Sequence, residues 1–331
     1  MWFETLTGFR EESPDQVRKN ISVDGETLKS HVNGREFVSG VLETPSLQEL
    51  RGRVHSNELN AGKISVREII SNVQHLHADE TNSGALFQVA SQFNLLEMVS
   101  PDVTPEHGLD GYEYDLTQGP ACAIAAGAGT IYRNYFAEVN GQIGQSADNQ
   151  INCLIDIGEA LGNSGNRLWE MRNGYALASE RGLIEITNRL KSANDSEIDE
   201  LRRLLRIGIQ WNTEVTIADS KHRVSQAYCS ALPVAYSHHS SELWSEFARL
   251  VLDASYEASF CAGILNYLQN GNNTLYLTLL GGGAFGNKRE WILNAVHRSL
   301  NLYEDVGLDV AIVSYGHSNK YVQELMGNFA H

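Results

Sequence analysis

The chain has 331 residues, of which 42% are hydrophobic, so it is long enough to bury one large core or two modest ones. Its formal net charge of −16 argues against a duplex nucleic acid or an anionic membrane as a partner, because both require clustered Lys and Arg. The acidic total does not exclude a phosphate ligand, since backbone N–H groups and helix N-termini bind phosphates without net positive charge.

The N-terminal part of the chain has weak periodicity, and a clearer pattern begins near residue 63. We interpret the polar residues 1–62 as an N-terminal extension that packs on a main domain of residues 63–331. Alternation of apolar and polar residues over 64–69 predicts a half-buried strand, and the apolar run 84–90 predicts a buried one. A long loop rich in Pro, Gly and acidic residues follows, from 99 to 117, and loops of this length are usually functional or disordered.

Small residues dominate the next predicted helix. It begins at Gln118-Gly119-Pro120 and continues to Phe136, with proline at a favourable position in the first turn. The charged residues of about 140–210 predict a helical insert. Strands are predicted over 213–217 and 224–236, and an amphipathic helix is predicted over 241–268.

The C-terminal unit has the clearest pattern of the chain. An apolar run over 274–280 predicts a buried strand, residues 281–287 a turn, residues 288–302 a helix, and residues 308–314 a second buried strand. Because a strand, a crossover helix and a second apolar strand make a right-handed parallel unit, we expect an α/β fold whose sheet is covered on both faces.

The turn Gly281-Gly282-Gly283-Ala284-Phe285-Gly286-Asn287 has the features of an anion site. Its three consecutive glycines leave backbone N–H groups open, and the helix that follows has a partly positive N-terminus. Asn287 is predicted to cap that helix, with Glu290 completing a capping box, and Phe285 is predicted to be exposed and to cover a ribose or base. The alternative is a tight connection in which the glycines serve packing only.

The small-residue turn at Gln118 and Gly119 is a second place where a backbone can approach a ligand closely. If both turns lie at the carboxyl ends of parallel strands, a ligand crevice lies between them. Here too the alternative is close packing of the helix alone, which would compensate for the helix propensity lost at Gly127 and Gly129.

The order of elements from residue 63 onward resembles a macrodomain, which implies a three-layer α/β/α fold with a mixed sheet. The 281–287 turn is similar to the Gly-x-Gly-Ala-Phe-Gly turn of poly(ADP-ribose) glycohydrolases, which wraps the diphosphate and the distal ribose. Asn94 matches the asparagine that contacts the distal ribose in macrodomains, and Gln118 and Gly119 match the first glycine-rich loop. The resemblance therefore implies that these residues and the turn bind ADP-ribose or an NAD-derived nucleotide, which would connect the protein to NAD metabolism.

The chain departs from the glycohydrolases because it lacks their Gln-Glu-Glu catalytic motif. Cleavage of a ribosyl bond needs a carboxyl group that moves a proton or orients water. Asp115 is the first candidate, with loop capping as its alternative role, and Glu97 is the second, with a solvated loop position as its alternative. We expect a hydrolase acting at the distal ribose, with the 99–117 loop placed to close over ligand. A non-catalytic module that binds ADP-ribose is the alternative.

The four cysteines, Cys122, Cys153, Cys229 and Cys261, are far apart in sequence and predict reduced, buried thiols rather than a zinc site. The first residues lack the basic start and long apolar run of a signal peptide, and no segment has the apolar length of a membrane span. We expect a cytoplasmic protein with no metal and no cofactor.

Overall fold

The computed structural model describes residues 1–57, 62–327 and 329. The α-helices of this part of the chain are α1 (Trp2–Thr7), α2 (Pro14–Asn20), α3 (Leu47–His55), α4 (Val73–Ala78), α5 (Gln118–Ala125), α6 (Gly127–Tyr135), α7 (Ile155–Leu161), α8 (Glu180–Ser192), α9 (Asp195–Arg202), α10 (Ser241–Asn270), α11 (Arg289–Leu302) and α12 (Lys320–Gly327). The strands are β1 (Ile21–Asp24), β2 (Thr27–Ser30), β3 (Glu36–Val38), β4 (Val41–Glu43), β5 (Ser65–Ile70), β6 (Leu86–Ala90), β7 (Glu138–Val139), β8 (Gln142–Ile143), β9 (Trp169–Arg172), β10 (Tyr175–Ala178), β11 (Gly208–Glu214), β12 (Arg223–Cys229), β13 (Thr274–Leu277) and β14 (Asp309–Ser314).

A seven-stranded mixed sheet with the order β4-β11-β12-β6-β13-β14-β5 forms the centre of the molecule. The five strands from β12 to β5 in this order are parallel to one another, whereas β11 is antiparallel to both β12 and β4. The predicted unit of two buried strands joined by a helix is present as β13, α11 and β14, with Leu275 paired to Val310 in the parallel register.

Helices cover both faces of this sheet. Phe87 of β6 stacks on His77 of α4 with ring centroids 3.8 Å apart, whereas the neighbouring Gln88 donates a hydrogen bond to Ser259 of α10 at 2.9 Å. Because successive side chains of a strand point to opposite faces, α4 and α10 lie on opposite sides of the sheet. α5 packs beside α4 and against β6, whereas α3, α8, α9 and α11 pack on α10. This arrangement confirms the predicted three-layer α/β/α fold.

The small-residue helix is interrupted at Ala126, so the predicted single helix is two helices, α5 and α6. A Cβ atom at Gly127 would lie 2.8 Å from the Trp2 ring, and one at Gly129 would lie 3.0 Å from the side chains of Gln210 and Thr213. These two glycines therefore serve close packing, on the N-terminal segment and on β11 respectively.

The N-terminal segment contributes directly to the central sheet. Its residues 41–43 form the edge strand β4 on β11, and three further strands make a separate sheet in the order β1-β2-β3. The segment also fixes the 99–117 loop, because the Glu11 carboxylate accepts hydrogen bonds from the backbone N–H groups of Leu109 and Asp110 at 2.6 and 2.7 Å.

The predicted helical insert is mixed in structure. Residues 140–210 contain α7, α8 and α9, but they also contain the β9–β10 hairpin, whose turn at Asn173 and Gly174 has positive φ at both residues. The sequence Asn-Gly favours such a turn, so the local sequence is sufficient to predict this hairpin. The predicted strands at 213–217 and 224–236 are also displaced, since β11 ends at Glu214 and β12 ends at Cys229.

The four cysteines are free and buried, which confirms the prediction made for them. No helix within residues 1–57, 62–327 and 329 is both long and apolar enough to cross a membrane.

Candidate functional site

A pocket of about 380 Å³ lies at the carboxyl ends of β6, β12 and β13. Both glycine-rich turns line it, through Gln118 and Gly119 on one side and Gly281, Gly283, Ala284 and Phe285 on the other. Its other walls include Glu97, Asp115, Tyr175, Tyr236 and Thr278. The carboxyl ends of parallel strands are the usual place for a ligand crevice in an open α/β sheet.

The Gln118 turn joins the N-terminus of α5 to the end of β6. The Gln118 side chain accepts a hydrogen bond from Ala90 N–H and donates one to the Gln88 carbonyl, both at 2.9 Å. Gly119 lies so close to the strand that a Cβ atom would be 2.0 Å from the Ala90 carbonyl oxygen and 3.0 Å from Glu97 Cγ. Because the Gln118 side chain is bonded to the strand backbone, the groups that this turn offers a ligand are the backbone N–H groups of Gln118 and Gly119 at the start of α5, since Pro120 has no N–H and that of Ala121 donates to the Thr117 carbonyl at 3.3 Å.

The second turn presents backbone N–H groups at the opposite wall. Those of Gly282, Gly286 and Asn287 are used inside the turn, by the carbonyls of Leu279, Gly283 and Gly281 at 2.9–3.0 Å. The N–H groups of four residues of this turn that line the pocket have no acceptor in the described part of the chain, and the last three are consecutive: Gly281, Gly283, Ala284 and Phe285. Consecutive free N–H groups in a turn form an anion-binding concavity.

Two glycines of this turn are required by conformation and space. Gly281 has a φ of +73°, and a Cβ atom there would lie 2.3 Å from Ala231 Cβ, whereas Gly286 has a φ of +69° and would meet Ala235 Cβ at 2.8 Å. Gly283 differs from both, because a Cβ atom there would meet no atom within 4 Å. Packing therefore accounts for Gly281 and Gly286, whereas Gly283 is open on the pocket wall, and ligand approach there stays a prediction.

Asn287 does not cap α11, which corrects the sequence-based prediction. The helix begins at Arg289 with Lys288 at the N-cap position and no side-chain cap. Asn287 is buried and donates instead to the Leu232 carbonyl at 2.8 Å, which ties the turn to the segment after β12. Gly282, Gly286 and Asn287 are not among the residues that line the pocket, so they shape the turn from behind.

Glu97 is the most unusual polar residue of the site. It lines the pocket, its side chain is 1% exposed, and neither carboxyl oxygen has a hydrogen-bond partner among the described residues. Burial raises the pKa of Glu97 from 4.5 to about 8, against the opposing attraction of the Arg133 guanidinium, whose Nη2 lies 3.7 Å from Glu97 Oε1. The predicted alternative of a solvated loop position is therefore wrong for this residue.

Asp115 lies at the rim of the pocket and is half-buried. Its Oδ1 accepts a hydrogen bond from Thr117 N–H at 2.9 Å, immediately before α5, which is the loop-capping role considered as its alternative. Its negative charge also contributes to raising the pKa of Glu97. The structure thus brings both candidate carboxylates to one pocket, with Glu97 at its buried wall and Asp115 at its edge.

Asn94 is not brought into the pocket. It is fully buried, donates to Gln150 Oε1 at 2.9 Å, and accepts from Leu96 N–H at 3.1 Å. The Gly174 turn of the β9–β10 hairpin covers it, since a Cβ atom at Gly174 would lie 2.5 Å from Asn94 Oδ1. The insert occupies the space in front of Asn94, and this explains why the ribose contact implied by the resemblance is not available here.

Three aromatic side chains form one wall of the pocket, and two of them were missed by sequence reasoning. Phe285 is half-buried rather than exposed, because its ring packs on Tyr175 and Tyr236 with centroid distances of 5.3 and 5.6 Å. Tyr175 also donates a hydrogen bond to the Met98 carbonyl at 2.7 Å. These tyrosines come from the insert and from the segment after β12, and nothing local in the sequence indicates that they meet.

A second pocket of about 570 Å³ adjoins the first, and the two share Asp115, Thr117, Gln118 and Thr278. It lies over the ends of β5 and β14 and is lined by Tyr315 among others. Leu116, which also lines it, is 94% exposed, and Tyr315 is 79% exposed. Together the pockets form one crevice across the sheet edge, with a buried end at Glu97 and an open end of apolar surface.

A larger depression of about 960 Å³ lies away from both turns, but its charged groups are already paired. Arg53 contacts Glu43 at 2.8 Å, and Arg206 contacts Asp156 at 2.8 Å. It therefore offers little to orient a polar ligand. Within the described ranges, no group of three or more His, Cys, Asp and Glu side chains is arranged to hold a metal ion.

The 99–117 loop is ordered by contacts with the N-terminal segment, which differs from the expectation of a loop free to close. Trp2 Nε1 donates to the Leu109 carbonyl at 3.1 Å, and Trp2 N–H donates to Glu113 at 3.0 Å. Tyr112 in the same loop accepts a hydrogen bond from Glu97 N–H at 2.9 Å. The loop thus acts as a fixed support behind Glu97.

Comparison with known proteins finds no matching family model and no matching curated protein. Among solved structures, the chain is similar to poly(ADP-ribose) glycohydrolase from Thermomonospora curvata bound to the inhibitor ADP-HPD, with 11% identity over 96% of each chain and a TM-score of 0.46. It is also similar to the glycohydrolase from Deinococcus radiodurans in complex with ADP-ribose, with 10% identity over 97% of this chain and 96% of that chain and a TM-score of 0.45.

Proposed function

We propose that this protein binds a nucleotide of the ADP-ribose type and hydrolyses a bond at its distal ribose. The observation that carries the proposal is Glu97, a buried carboxyl group with both oxygens unpaired, at the wall of a pocket between two backbone anion sites. An unpaired buried carboxyl group is costly for folding, so it needs a compensating reason. A role in acid catalysis is such a reason.

In this proposal the diphosphate lies between the N-terminus of α5 and the free N–H groups of Gly283, Ala284 and Phe285. The distal ribose lies in the buried pocket beside Glu97 and the wall formed by Tyr175, Tyr236 and Phe285. The adenosine lies in the adjoining pocket, where an exposed aromatic ring offers a face for stacking. An acidic chain holds such a ligand through backbone dipoles rather than through basic side chains.

The raised pKa of Glu97, about 8, keeps its carboxyl group protonated at neutral pH, as general acid catalysis requires. As the glycosidic C–O bond breaks, its electron pair remains on the leaving oxygen, which takes the proton of Glu97. A water molecule then adds to the ribose carbon and returns one proton to the Glu97 carboxylate, which restores the acid. In this proposal, Asp115 at the pocket rim orients that water.

Two measurements test the proposal. Calorimetric titration with ADP-ribose, AMP and NAD should give clear preference for ADP-ribose, and failure to bind any of the three would refute the ligand class. Hydrolysis of ADP-ribosylated protein and of poly(ADP-ribose) should then be compared between the parent protein and Glu97→Gln. We expect a loss of about 10²- to 10⁴-fold in kcat for the variant, with ADP-ribose binding retained.

Glu26→Gln serves as the matched control, because it makes the same chemical change at an exposed position and should leave turnover unchanged. If the parent protein binds ADP-ribose but hydrolyses none of these substrates, the protein is a binding module, and Glu97 serves to recognise the ligand by hydrogen bonding.

A further inference from the structure

We infer that Arg133 is a positioning residue that lies beside the Glu97 carboxyl group and stabilises the carboxylate left when its proton departs. This inference rests on the proposed function, since it concerns the residue that we assign as the acid. It concerns a residue that no sequence motif indicated, on a helix that lies behind the pocket and does not line it.

The Arg133 guanidinium is completely buried and is fixed by groups other than Glu97. Its Nε donates to the Leu95 carbonyl at 3.1 Å, its Nη2 donates to Thr130 Oγ1 at 3.3 Å, and its Nη1 donates to the Tyr228 hydroxyl. The guanidinium carbon also lies 3.7 Å from the centroid of the Tyr228 ring, which adds a cation–π contact. The cation is therefore held in one place before any ligand enters.

The Arg133 guanidinium acts on Glu97 as a nearby charge and forms no hydrogen bond with it. Arg133 Nη2 lies 3.7 Å from Glu97 Oε1, beyond hydrogen-bond distance, and neither Glu97 oxygen has another partner among the described residues. A structural ion pair would normally use these oxygens in short, often bidentate bonds. Here they stay free, so that the carboxyl group can meet a substrate while the positive field acts on it.

Arg133 is the one cation among the described charged and titratable groups that face Glu97. The others are Tyr112 and Asp115 from the 99–117 loop, Cys122 from α5 and Tyr228 from β12. Burial raises the pKa values of Tyr112, Cys122 and Tyr228, so these groups are neutral at pH 7, and Asp115 raises the pKa of Glu97. Among the charged groups, Arg133 alone favours the carboxylate, and the neutral Tyr112 hydroxyl adds to this effect.

The fixed position of Arg133 depends on a second layer of buried polar groups. The Tyr228 hydroxyl donates to Gln226 Oε1, and Gln226 Nε2 donates to the Cys122 carbonyl at 2.9 Å and contacts His77 Nε2 at 3.0 Å. This chain of side chains orients the hydroxyl so that its lone pairs face Arg133. Removal of the hydroxyl alone should therefore loosen the guanidinium while the packing of the ring remains.

In the proposed reaction, this arrangement acts at the step where Glu97 gives its proton to the leaving oxygen. The new carboxylate is buried, and without a nearby cation it would carry a large desolvation cost. Arg133 offsets that cost in the transition state, where the charge develops, and it gives up no hydrogen bond to do so. Arg133 therefore affects kcat and the titration of Glu97 rather than the affinity for ligand.

The test measures the Glu97 carboxyl directly by infrared spectroscopy against pH, with its band assigned by difference from Glu97→Gln. In Arg133→Met we expect the midpoint to rise by about 1–3 pH units and kcat to fall, with ADP-ribose affinity within about threefold of the parent. Tyr228→Phe should shift the midpoint in the same direction by less. Arg202→Met is the control, since it removes a largely buried arginine, 19% exposed and paired with Asp253 at 2.8 Å, that does not face Glu97.

An unchanged Glu97 midpoint in folded Arg133→Met would overturn the inference. If that variant does not fold, Tyr228→Phe decides in the same way, because its single missing hydroxyl leaves the ring in place. Because the infrared measurement needs no substrate, its result does not depend on the proposed function. If the parent protein has no hydrolytic activity, the proposed function is refuted. The effect of Arg133 on Glu97 is then judged from the midpoint of the infrared titration alone.

Discussion

Replacing Glu97 by Gln should change how the stability of the protein depends on pH. The raised pKa of Glu97 means that the folded protein holds this proton more tightly than the unfolded chain does, whose glutamate titrates near 4.5. As pH rises from 4.5 towards 8, the unfolded state ionises while the folded state stays protonated. The contribution of this group is therefore most favourable below pH 4.5 and is lost progressively up to pH 8.

The size of the effect follows from the two pKa values. Each unit of pKa difference corresponds to about 1.4 kcal/mol, so at pH 7 the burial of Glu97 costs about 3 kcal/mol of unfolding free energy relative to its value below pH 4.5. Gln has nearly the same shape and does not ionise. The unfolding free energy of Glu97→Gln relative to the parent should therefore rise by about 3 kcal/mol between pH 4.5 and pH 7.

The assay is urea unfolding of the parent, Glu97→Gln and the exposed control Glu26→Gln at several pH values between 4.5 and 8. The control should follow the parent across the whole range. If the parent and Glu97→Gln show parallel pH profiles, Glu97 is not a buried, protonated acid in the folded protein. Both the assignment of Glu97 as the acid and the reasoning from its burial would then be refuted.

Three further predictions concern the walls of the pocket. Gly119→Ala should destabilise the fold by about 3 kcal/mol and abolish turnover, since its Cβ would lie 2.0 Å from the Ala90 carbonyl oxygen. Thermal unfolding measures this loss of stability, and an unchanged melting temperature would contradict the prediction. Gly283→Val should leave the melting temperature within a few degrees of the parent, because a Cβ atom there meets no protein atom within 4 Å. The same variant should weaken ADP-ribose binding about tenfold by calorimetry, because the added side chain lies on the pocket wall where the diphosphate is proposed to bind. Asp115→Asn should lower the pKa of Glu97, so that the alkaline limb of the kcat profile moves to lower pH; an unmoved limb would remove Asp115 from the electrostatics of the site.

The sequence predicted the C-terminal part of the sheet well because its signals are local. The apolar runs of β13 and β14, the glycines between β13 and α11, and the helical period of α11 each lie within a few residues of one another. The run 84–90 likewise predicted β6, which is buried on both faces and therefore lacks polar alternation. These elements are enough to place the two glycine-rich turns at one edge of the sheet.

The character of Glu97 was not predictable in the same way, because its environment is assembled from distant segments. Its burial depends on Gly119, which lets α5 approach the strand, on Arg133 of α6, and on Tyr112 of the following loop. The N-terminal segment in turn holds that loop through Glu11. No pattern around Glu97 distinguishes it from a glutamate exposed on a loop, whereas Asp115 ranked first from the sequence because it lies three residues before Gln118.

The two glycine-rich turns show that close packing and an open pocket wall occur side by side in this fold. At Gly119 the absence of a side chain lets the helix approach the strand end, and the same approach helps to bury Glu97 and brings the start of α5 to the pocket wall. At the second turn, Gly281 and Gly286 are held against protein atoms, and this leaves Gly283 open on the pocket wall. Close packing behind each turn therefore brings free backbone N–H groups and the unpaired Glu97 carboxyl group to the same pocket.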